Sequence, residues 1–580
     1  MRFDLSAIFL FNFLFIFLQL LPFKFRKNNF YQKILKYLFV VVNSILILAN
    51  CIDFVYFRFI LKRTTFDIFS FLGLGNDFFT LLPSYLKNFW YVLLIWLLLI
   101  LFLNFLYNKI FKTFLSKEEP AKFYFFIQSI IFILCFVLTV IGIRGGLQYK
   151  PITIIDAGED TDVRNIPLIL NTPFAIIQTL NKAEIKEIKY FNESKLQSIY
   201  NPLHNYYDKN KSFKKLNVVI IIMESFSKEY TGLANNKNFV SYTPFLDSLI
   251  KESSVFKNAF ANGSNSISGI PAVVAGIPSL MNEPYITSVF AGNKIHGLAA
   301  LLRKEGYATS FFHGGTNGTM GFEAFASIAG FEKYYGRKEY NNEKDYDGNW
   351  GIYDEEFFNF FAEKLNCSKQ PFFSTFFSLS SHHPYSVPAK YKNKFKKGKL
   401  KIHESIGYAD YSLRKFFNIA SKSKWFNNTL FVITADHTSE AEHPAFSNVV
   451  GEHEIPLLFY MHSNSLKGTN NEIAQQIDIM PSVLDFLNYP QEFVSFGVSL
   501  FDSTANHFAV NYTNNNYQLL KDVYSVIFNG SKVIEVYNFK TDSLLQNNLI
   551  NKISVAKNEN FLKAFIQSYN WRLIKNKLAQ

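Results

Sequence analysis

The chain has 580 residues, of which 49% are hydrophobic, only 18% are charged and 66 are phenylalanine. Soluble domains carry about 25% charged residues, so disorder is excluded and a wholly soluble protein disfavoured, while three cysteines (Cys51, Cys135, Cys367) exclude a disulfide scaffold or a multi-cysteine metal site. Fifty-nine basic against 46 acidic residues leave a net charge of +13, which points to nucleic acid or to a membrane surface according to where it sits.

Four apolar runs reach the length that a helix needs to cross a bilayer: Leu5 to Phe23, Tyr37 to Phe57, Phe89 to Tyr107 and Phe123 to Ile143. Trp90, Tyr91, Tyr107 and Tyr124 stand at run ends, where interfacial anchors belong. The first connection carries Lys24, Arg26, Lys27, Lys33 and Lys36, and the third Lys109, Lys112, Lys117 and Lys122. The second has only Lys62, Arg63 and Lys87, offset by Asp67 and Asp77. By the positive-inside rule the first and third loops face the cytoplasm, and everything after Ile143 is expected outside it, in a multi-pass cell-membrane protein. Much of the basic charge therefore orients helices, and no nucleic-acid partner is expected. Asp53, near the end of the second run, either marks function or snorkels to the outer interface beside Arg58. The stretch from Thr64 to Leu86 is too polar to span and reads as an amphipathic segment on the outer surface.

Residues 144–215 read as a connector with one short amphipathic helix at 171–182. An α/β domain is expected over 216–580. Asn217–Met223 is a continuous apolar run, the pattern of a strand buried on both faces of a mostly parallel sheet. Further strands are predicted at Ala308 to Phe312, Phe372 to Leu379, Thr429 to Thr434 and Ile455 to Tyr460. Helical patterns lie between or after them, at Thr243 to Glu252, Lys294 to Glu305, Asp354 to Leu365, Ile406 to Ser421 and Ile473 to Asn488. The alternation predicts a doubly wound, mostly parallel sheet sandwiched by helices. Residues 505–580, with two strand-like runs and a final helix near Asn560 to Leu578, complete the domain edge.

Ligands bind beyond the carboxyl ends of strands in such sheets. Here those ends read Glu224-Ser225, His313-Gly-Gly, Ser380-Ser-His382-His383 and Ala435-Asp436-His437. Glu, Asp and one His supply mixed oxygen and nitrogen ligands for a single divalent ion with one position open, Mn²⁺ favoured and Mg²⁺ or Zn²⁺ admissible. A glycine-flanked serine cluster (Ser264, Ser266, Ser268) precedes an apolar helix with Pro271 expected in its first turn. A serine there has free backbone N–H groups around it and could serve as a metal-activated nucleophile. Spacing alone does not choose among the three.

These motifs, in this order, resemble the lipoteichoic acid synthase and phosphoglycerol transferase family of the alkaline phosphatase and sulfatase superfamily. The likeness runs through NTPF, VVIIIMESF, YTPFLDSL, the serine loop, SSHHPY, ITADHT, EIPLLFY and QIDIMPSVLDFL. It implies an alkaline-phosphatase/sulfatase-like fold, with Glu224, Asp436 and His437 as metal ligands. It places the nucleophile, also a ligand, at Ser266 and a catalytic histidine at His382; His313, His383 and His453 are the candidate substrate-binding residues. Several members follow the pocket-edge histidine with a Trp-x-Arg clamp for phosphate; here HGGTNGTMGF has Met320 and Phe322 instead, with Asn317 or Arg337 as conceivable substitutes. The implied donor is a phosphatidylglycerol-like membrane lipid and the acceptor an envelope glycan or polymer. A sulfatase would need a C/S-x-P-x-R motif, which is absent. A phosphoethanolamine transferase or a phosphodiesterase on the same fold, and an inactive membrane scaffold, are the alternatives.

Overall fold

The computed structural model describes all residues except 61–62, 67–85, 87–88, 115–122, 149, 155, 158–165, 181–184, 235–238, 463–465 and 514. They form two compact units, Met1–Glu184 and Ile185–Gln580.

In the first unit the helices are α1 (Arg2–Phe11), α2 (Phe13–Leu20), α3 (Asn29–Ile60), α4 (Trp90–Phe114), α5 (Tyr124–Arg144) and α6 (Thr172–Gln178). Three of them contain stretches long and apolar enough to cross a membrane: Asn29–Val55, Trp90–Ile110 and Tyr124–Arg144. Twenty-one residues at about 1.5 Å each span roughly 30 Å, the thickness of a hydrocarbon core. The first predicted span is instead a pair, α1 and α2, bent by 63°. The break falls at Asn12, whose buried amide exchanges hydrogen bonds with Asn43 of α3 (3.1 and 2.7 Å) and donates to the Ile8 carbonyl (3.0 Å). A buried amide in apolar surroundings needs such partners.

Asp53 does not snorkel. It is fully buried, receives Arg63 Nη1 at 2.7 Å and Thr64 N at 2.9 Å, and accepts from Thr172 Oγ1 at 3.1 Å and from the Thr64 hydroxyl. Arg63 is thus a partner of Asp53, which ties α3 to the start of α6. The Asn171 side chain caps α6 by accepting from Phe174 N. The expected amphipathic segment lies mostly outside the described residues.

In the second unit the strands of the main sheet are β1 (Asn217–Met223), β2 (Ser254–Phe260), β3 (Ala308–His313), β4 (Lys333–Tyr335), β5 (Phe372–Phe377), β6 (Thr429–Ala435), β7 (Leu457–Tyr460) and β8 (Gly468–Gln475). Their order is β4-β3-β5-β1-β6-β7-β2-β8. All neighbours are parallel except β7, which runs antiparallel to both β6 and β2. All seven residues of β1 are buried, because it lies between β5 and β6 with helices on both faces. Each such Val or Ile contributes about 1.5–3 kcal/mol relative to exposure.

Two predictions are corrected here. The run from Ile473 to Asn488 is not one helix: it is the end of β8, a turn, and the helix Ile479–Phe486. The turn is set by Asp478, which accepts from Gln475 N (3.0 Å) and Val498 N (2.9 Å). The helix after the serine loop, α7 (Ser266–Ala275), starts five residues before Pro271, so the proline lies inside it. The C-terminal region forms a four-stranded antiparallel sheet (Phe508–Thr513, Asn516–Lys521, Tyr524–Phe528, Val533–Asn538) and the helix Ala556–Ile574.

Candidate metal centre

The central strands β1 and β6 are parallel and in register to their last residues, Met223 beside Ala435. The next residues, Glu224 and Asp436, must therefore emerge side by side at one sheet edge. Ser225 follows with φ 59°, a left-handed conformation that costs an ordinary residue about 1–2 kcal/mol. Two contacts hold it: Ser225 N donates to Asp436 Oδ1 (2.9 Å) and its hydroxyl to Glu224 Oε1 (2.7 Å). From beneath, Gln476 Nε2 donates to the carbonyls of Ala435 (2.8 Å) and Asp436 (2.7 Å).

α7 closes the edge. Asn265 caps it by accepting from Ser268 N, and Ser266 is its first residue. Gly269 allows the close approach: a Cβ there would lie 2.2 Å from the Asp436 carbonyl oxygen. The Ser266 hydroxyl is buried, 3.3 Å from Glu224 Oε2 and 3.3 Å from His437 Nε2. Ser264 is exposed, and the backbone N–H of Ser268 is taken up in the helix cap. Of the three serines, Ser266 is the one whose hydroxyl reaches the cluster.

Glu224, Asp436 and His437 each offer one ligand atom, all within 4.8 Å of one another. His437 Nδ1 contacts the Thr438 carbonyl, which can only accept, so Nδ1 carries a proton, and Nε2 is the nitrogen free to present a lone pair to a metal. That lone pair lies 3.2 Å from Asp436 Oδ2 and 3.6 Å from Glu224 Oε1. Asp436 Oδ2 is buried with no hydrogen-bond partner. Three acceptors facing one another around an orphaned carboxylate oxygen repel unless a cation or a proton lies among them. Burial, then the Asp436 carboxylate beside it, push the Glu224 carboxyl well above the usual carboxylate range. The donor set fits a divalent ion.

The histidines divide. His313, at the end of β3, is buried, stacks on Phe377 (4.6 Å between centroids) and contacts the Phe377 carbonyl through Nδ1 (3.2 Å). Burial brings its pKa down to about 4, so the ring is neutral. A Cβ on Gly315 would come within 2.7 Å of its Nε2, which accounts for a glycine there. His382, half-buried after β5, contacts the His383 carbonyl through Nδ1 (2.9 Å), leaving Nε2 for proton exchange. Ser381 beside it donates to the Glu224 carbonyl. The His383 ring is exposed and packs on Tyr385. His453 is buried with its Nδ1 unpartnered and its Nε2 3.6 Å from Glu452, outside the group of three ligands; burial brings its pKa down to about 4.

Two residues that sequence reasoning missed fasten the loop bearing His382. The buried Asp354 carboxylate accepts from Leu379 N (2.8 Å) and Ser380 N (3.2 Å). The Trp350 indole donates to the His383 carbonyl (2.7 Å) and packs on the His382 ring (4.2 Å). In sequence Asp354 is an ordinary acid at a helix start, and Trp350 a loop aromatic. At the positions of the missing phosphate clamp, Phe322 is buried edge-on to His313 and Phe377. Asn317 is engaged with Glu323 and Glu339, and Arg337 with Glu343 and the Tyr346 ring, so both are already committed.

Residues 216–489 match the sulfatase family. Lipoteichoic acid synthase 1 of Bacillus subtilis is 25% identical over 345 residues, 54% of this chain and 53% of that one. Lipoteichoic acid synthase of Staphylococcus aureus (strain USA300) is 27% identical over 359 residues, 57% and 53% respectively. The chain thus spans about half the length of the curated relatives it matches. Among solved structures, a protein in the alkaline phosphatase superfamily from Vibrio parahaemolyticus superposes with a TM-score of 0.59 at 24% identity, over 67% of this chain and 98% of that one. The lipoteichoic acid synthase LtaP from Listeria monocytogenes gives 0.53 at 20%, over 66% and 98%. Residues 216–489 thus resemble the sulfatase family and share the fold of the alkaline phosphatase superfamily structures, in a chain similar to bacterial lipoteichoic acid synthases.

Proposed function

We propose that the chain is a membrane-anchored, metal-dependent transferase. It moves a phosphoglycerol group from a phosphatidylglycerol-like lipid to a hydroxyl of an envelope glycan or polymer, through a covalent intermediate on Ser266. The observation that carries this reading is the Ser266 hydroxyl, 3.3 Å from both Glu224 and His437 within a buried carboxylate–imidazole cluster.

Glu224, Asp436, His437 and the Ser266 oxygen would hold one divalent ion, Mn²⁺ ahead of Mg²⁺ or Zn²⁺ for such mixed ligands. When bound, it supplies positive charge that favours the serine alkoxide and developing charge on phosphoryl oxygens. Ser266 Oγ attacks phosphorus while its proton passes to solvent. The bond to the diacylglycerol oxygen breaks, and protonated His382 gives that oxygen its Nε2 proton. In the second displacement the acceptor hydroxyl attacks the phosphoserine, neutral His382 takes its proton, and the Ser266 oxygen regains one from solvent. His313, His383 and His453 are proposed to line the substrate side. The N-terminal spans (1–143) and the connector (144–215) keep the domain at 216–580 near its lipid, which raises the effective concentration of both. The Lys and Arg asymmetry of the loops supports a multi-pass topology with this domain outside the cytoplasm.

The test is incubation of the purified chain with Mn²⁺ and headgroup-labelled phosphatidylglycerol, followed by intact-mass analysis. A phosphoglycerol-sized adduct that Ser266→Ala abolishes and Ser264→Ala retains is expected. An adduct that survives Ser266→Ala refutes the assignment, and an adduct formed only from phosphatidylethanolamine replaces the headgroup.

A further inference from the structure

In the main sheet β6 and β8 are not neighbours, because β7 and β2 lie between them. Yet Gln476, the first residue after β8, reaches the end of β6 with its side chain. Its Nε2 donates to the carbonyls of Ala435 (2.8 Å) and Asp436 (2.7 Å). Its oxygen accepts from the backbone N–H of Asn262 (2.8 Å), two residues beyond the end of β2. Strand pairing does not account for this reach, since the register of β2 on β8 ends at Phe260 beside Gln475. A buried amide is costly unless its polar atoms are met. Those of Gln476, which is fully buried, are met by backbone groups of two separate segments.

Asn262 is held in turn. Its Nδ2 donates to Gln475 Oε1 (2.8 Å) and to the Val510 carbonyl (2.8 Å), and its Oδ1 accepts from Ile477 N (3.1 Å). Its carbonyl accepts from Ser279 N (3.2 Å), which closes residues 262–279 into one loop with α7 inside it. Ser266 stands four residues after Asn262, at most about 14 Å of chain, so little slack separates the fixed amide from the hydroxyl. α7 also seats on a group that Gln476 holds. The Asp436 carbonyl that accepts from Gln476 is the one that a Cβ on Gly269 would approach to 2.2 Å. One amide thus joins the segment carrying Ser266 to the segment carrying Asp436 and His437.

We propose that Gln476 is a positioning residue, whose amide holds the Ser266 hydroxyl at 3.3 Å from Glu224 and His437 and so in place for the divalent ion. This deepens the role given to Ser266 above and rests on it. An error of about 1 Å in the place of a reacting group costs about a hundredfold in rate. Gln476→Met fills nearly the same space and loses all three hydrogen bonds. Gln476→Glu keeps the acceptor for Asn262 N and, when protonated, one donor.

The test is made on the full chain in neutral detergent with Co²⁺ alone, read by its visible absorption, which reports the ligands around the ion. Ser266→Ala should change the spectrum, and Gln476→Met should change it in the same direction, with a loss of Co²⁺ affinity no greater than that of Ser266→Ala. In the Ser266→Ala background Gln476→Met should add nothing, and Gln476→Glu should fall between wild type and Gln476→Met. If Gln476→Met does not fold, Gln476→Glu carries the same comparison. With phosphatidylglycerol as donor, kcat for diacylglycerol release should drop by about tenfold to a hundredfold in Gln476→Met, with KM unchanged. A wild-type spectrum in Gln476→Met overturns the proposal. So does a change that persists undiminished in the Ser266→Ala background, since the amide would then act on Asp436 or His437 and not on Ser266. A spectrum indifferent to Ser266→Ala removes the hydroxyl from the ion and the proposal with it. If the spectra follow as expected while no diacylglycerol is released by wild type, the positioning role stands and the phosphoglycerol-transfer reading falls.

Discussion

Replacing Asp436 by Asn should raise stability without metal and abolish stabilisation by metal. The reasoning begins from the orphaned Asp436 Oδ2, 3.2 Å from His437 Nε2 and sharing its site with the Glu224 carboxylate. Two charged carboxylates within 4.8 Å of each other repel by about 3.5 kcal/mol or more at an effective dielectric constant of roughly 20. Proton uptake by Glu224 relieves part of this. An Asn keeps Oδ1 as acceptor for Ser225 N and His437 N, and its amide replaces the orphaned oxygen with a donor facing the His437 lone pair. That hydrogen bond adds about 1 kcal/mol. Melting the wild type and Asp436→Asn in chelator should therefore find the variant more stable, by about 2–4 kcal/mol. Adding Mn²⁺ closes most or all of that gap. A metal at 100 times its Kd stabilises the wild type by about 2.7 kcal/mol, and the variant gains little. A variant less stable than wild type in chelator, or equal Mn²⁺ shifts in both proteins, would refute the electrostatic reading of the cluster.

Asp354 supplies a pH signature. Its folded pKa of about 7, raised by burial, lies above the model-peptide value of 3.8, so between those values the folded state holds the extra proton. Its contribution is fully present below about pH 4 and is lost as pH rises through 7, by up to roughly 4 kcal/mol. Urea midpoints of wild type and Asp354→Asn across pH 4–8 should differ by that slope, and parallel curves would count against it. Trp350→Leu removes the indole bond and the ring packed on His382; kcat should fall about tenfold, the equivalent of 1.4 kcal/mol, with the Mn²⁺ melting shift intact. Loss of that shift would mean Trp350 supports the cluster rather than the histidine. In the first unit, Asp53→Ala removes the carboxylate that pairs with Arg63 and accepts from three hydrogen-bond donors of Thr64 and Thr172. Breaking a buried pair costs about 3–5 kcal/mol, and detergent-solubilised yield and melting temperature should drop accordingly, whereas an unchanged melting temperature would exclude a structural role.

What the sequence alone determined follows from local physics. Lipid-length apolar runs imposed the membrane-compatible helices α3, α4 and α5, and the uninterrupted apolar run of β1 required a strand covered on both faces. The chemistry at strand ends was legible because a parallel sheet brings successive strand termini to one edge. Other features depended on partners remote in sequence. The bend at Asn12 needed Asn43, 31 residues on, and Asp53 chose Arg63 and Thr172 through packing that no local pattern encodes. β2 and β8 escaped notice because their polar residues are tolerated near a sheet edge, and the antiparallel β7 has the same apolar pattern as a parallel strand. Three nearby serines were equivalent as letters; only the approach of α7 to Asp436, permitted by Gly269, brought one hydroxyl to the cluster. Trp350 and Asp354 are common residue types in a loop and at a helix start, and the fold alone set them against the His382 loop. Residue chemistry is written one position at a time, but distance between side chains is decided by the backbone that carries both.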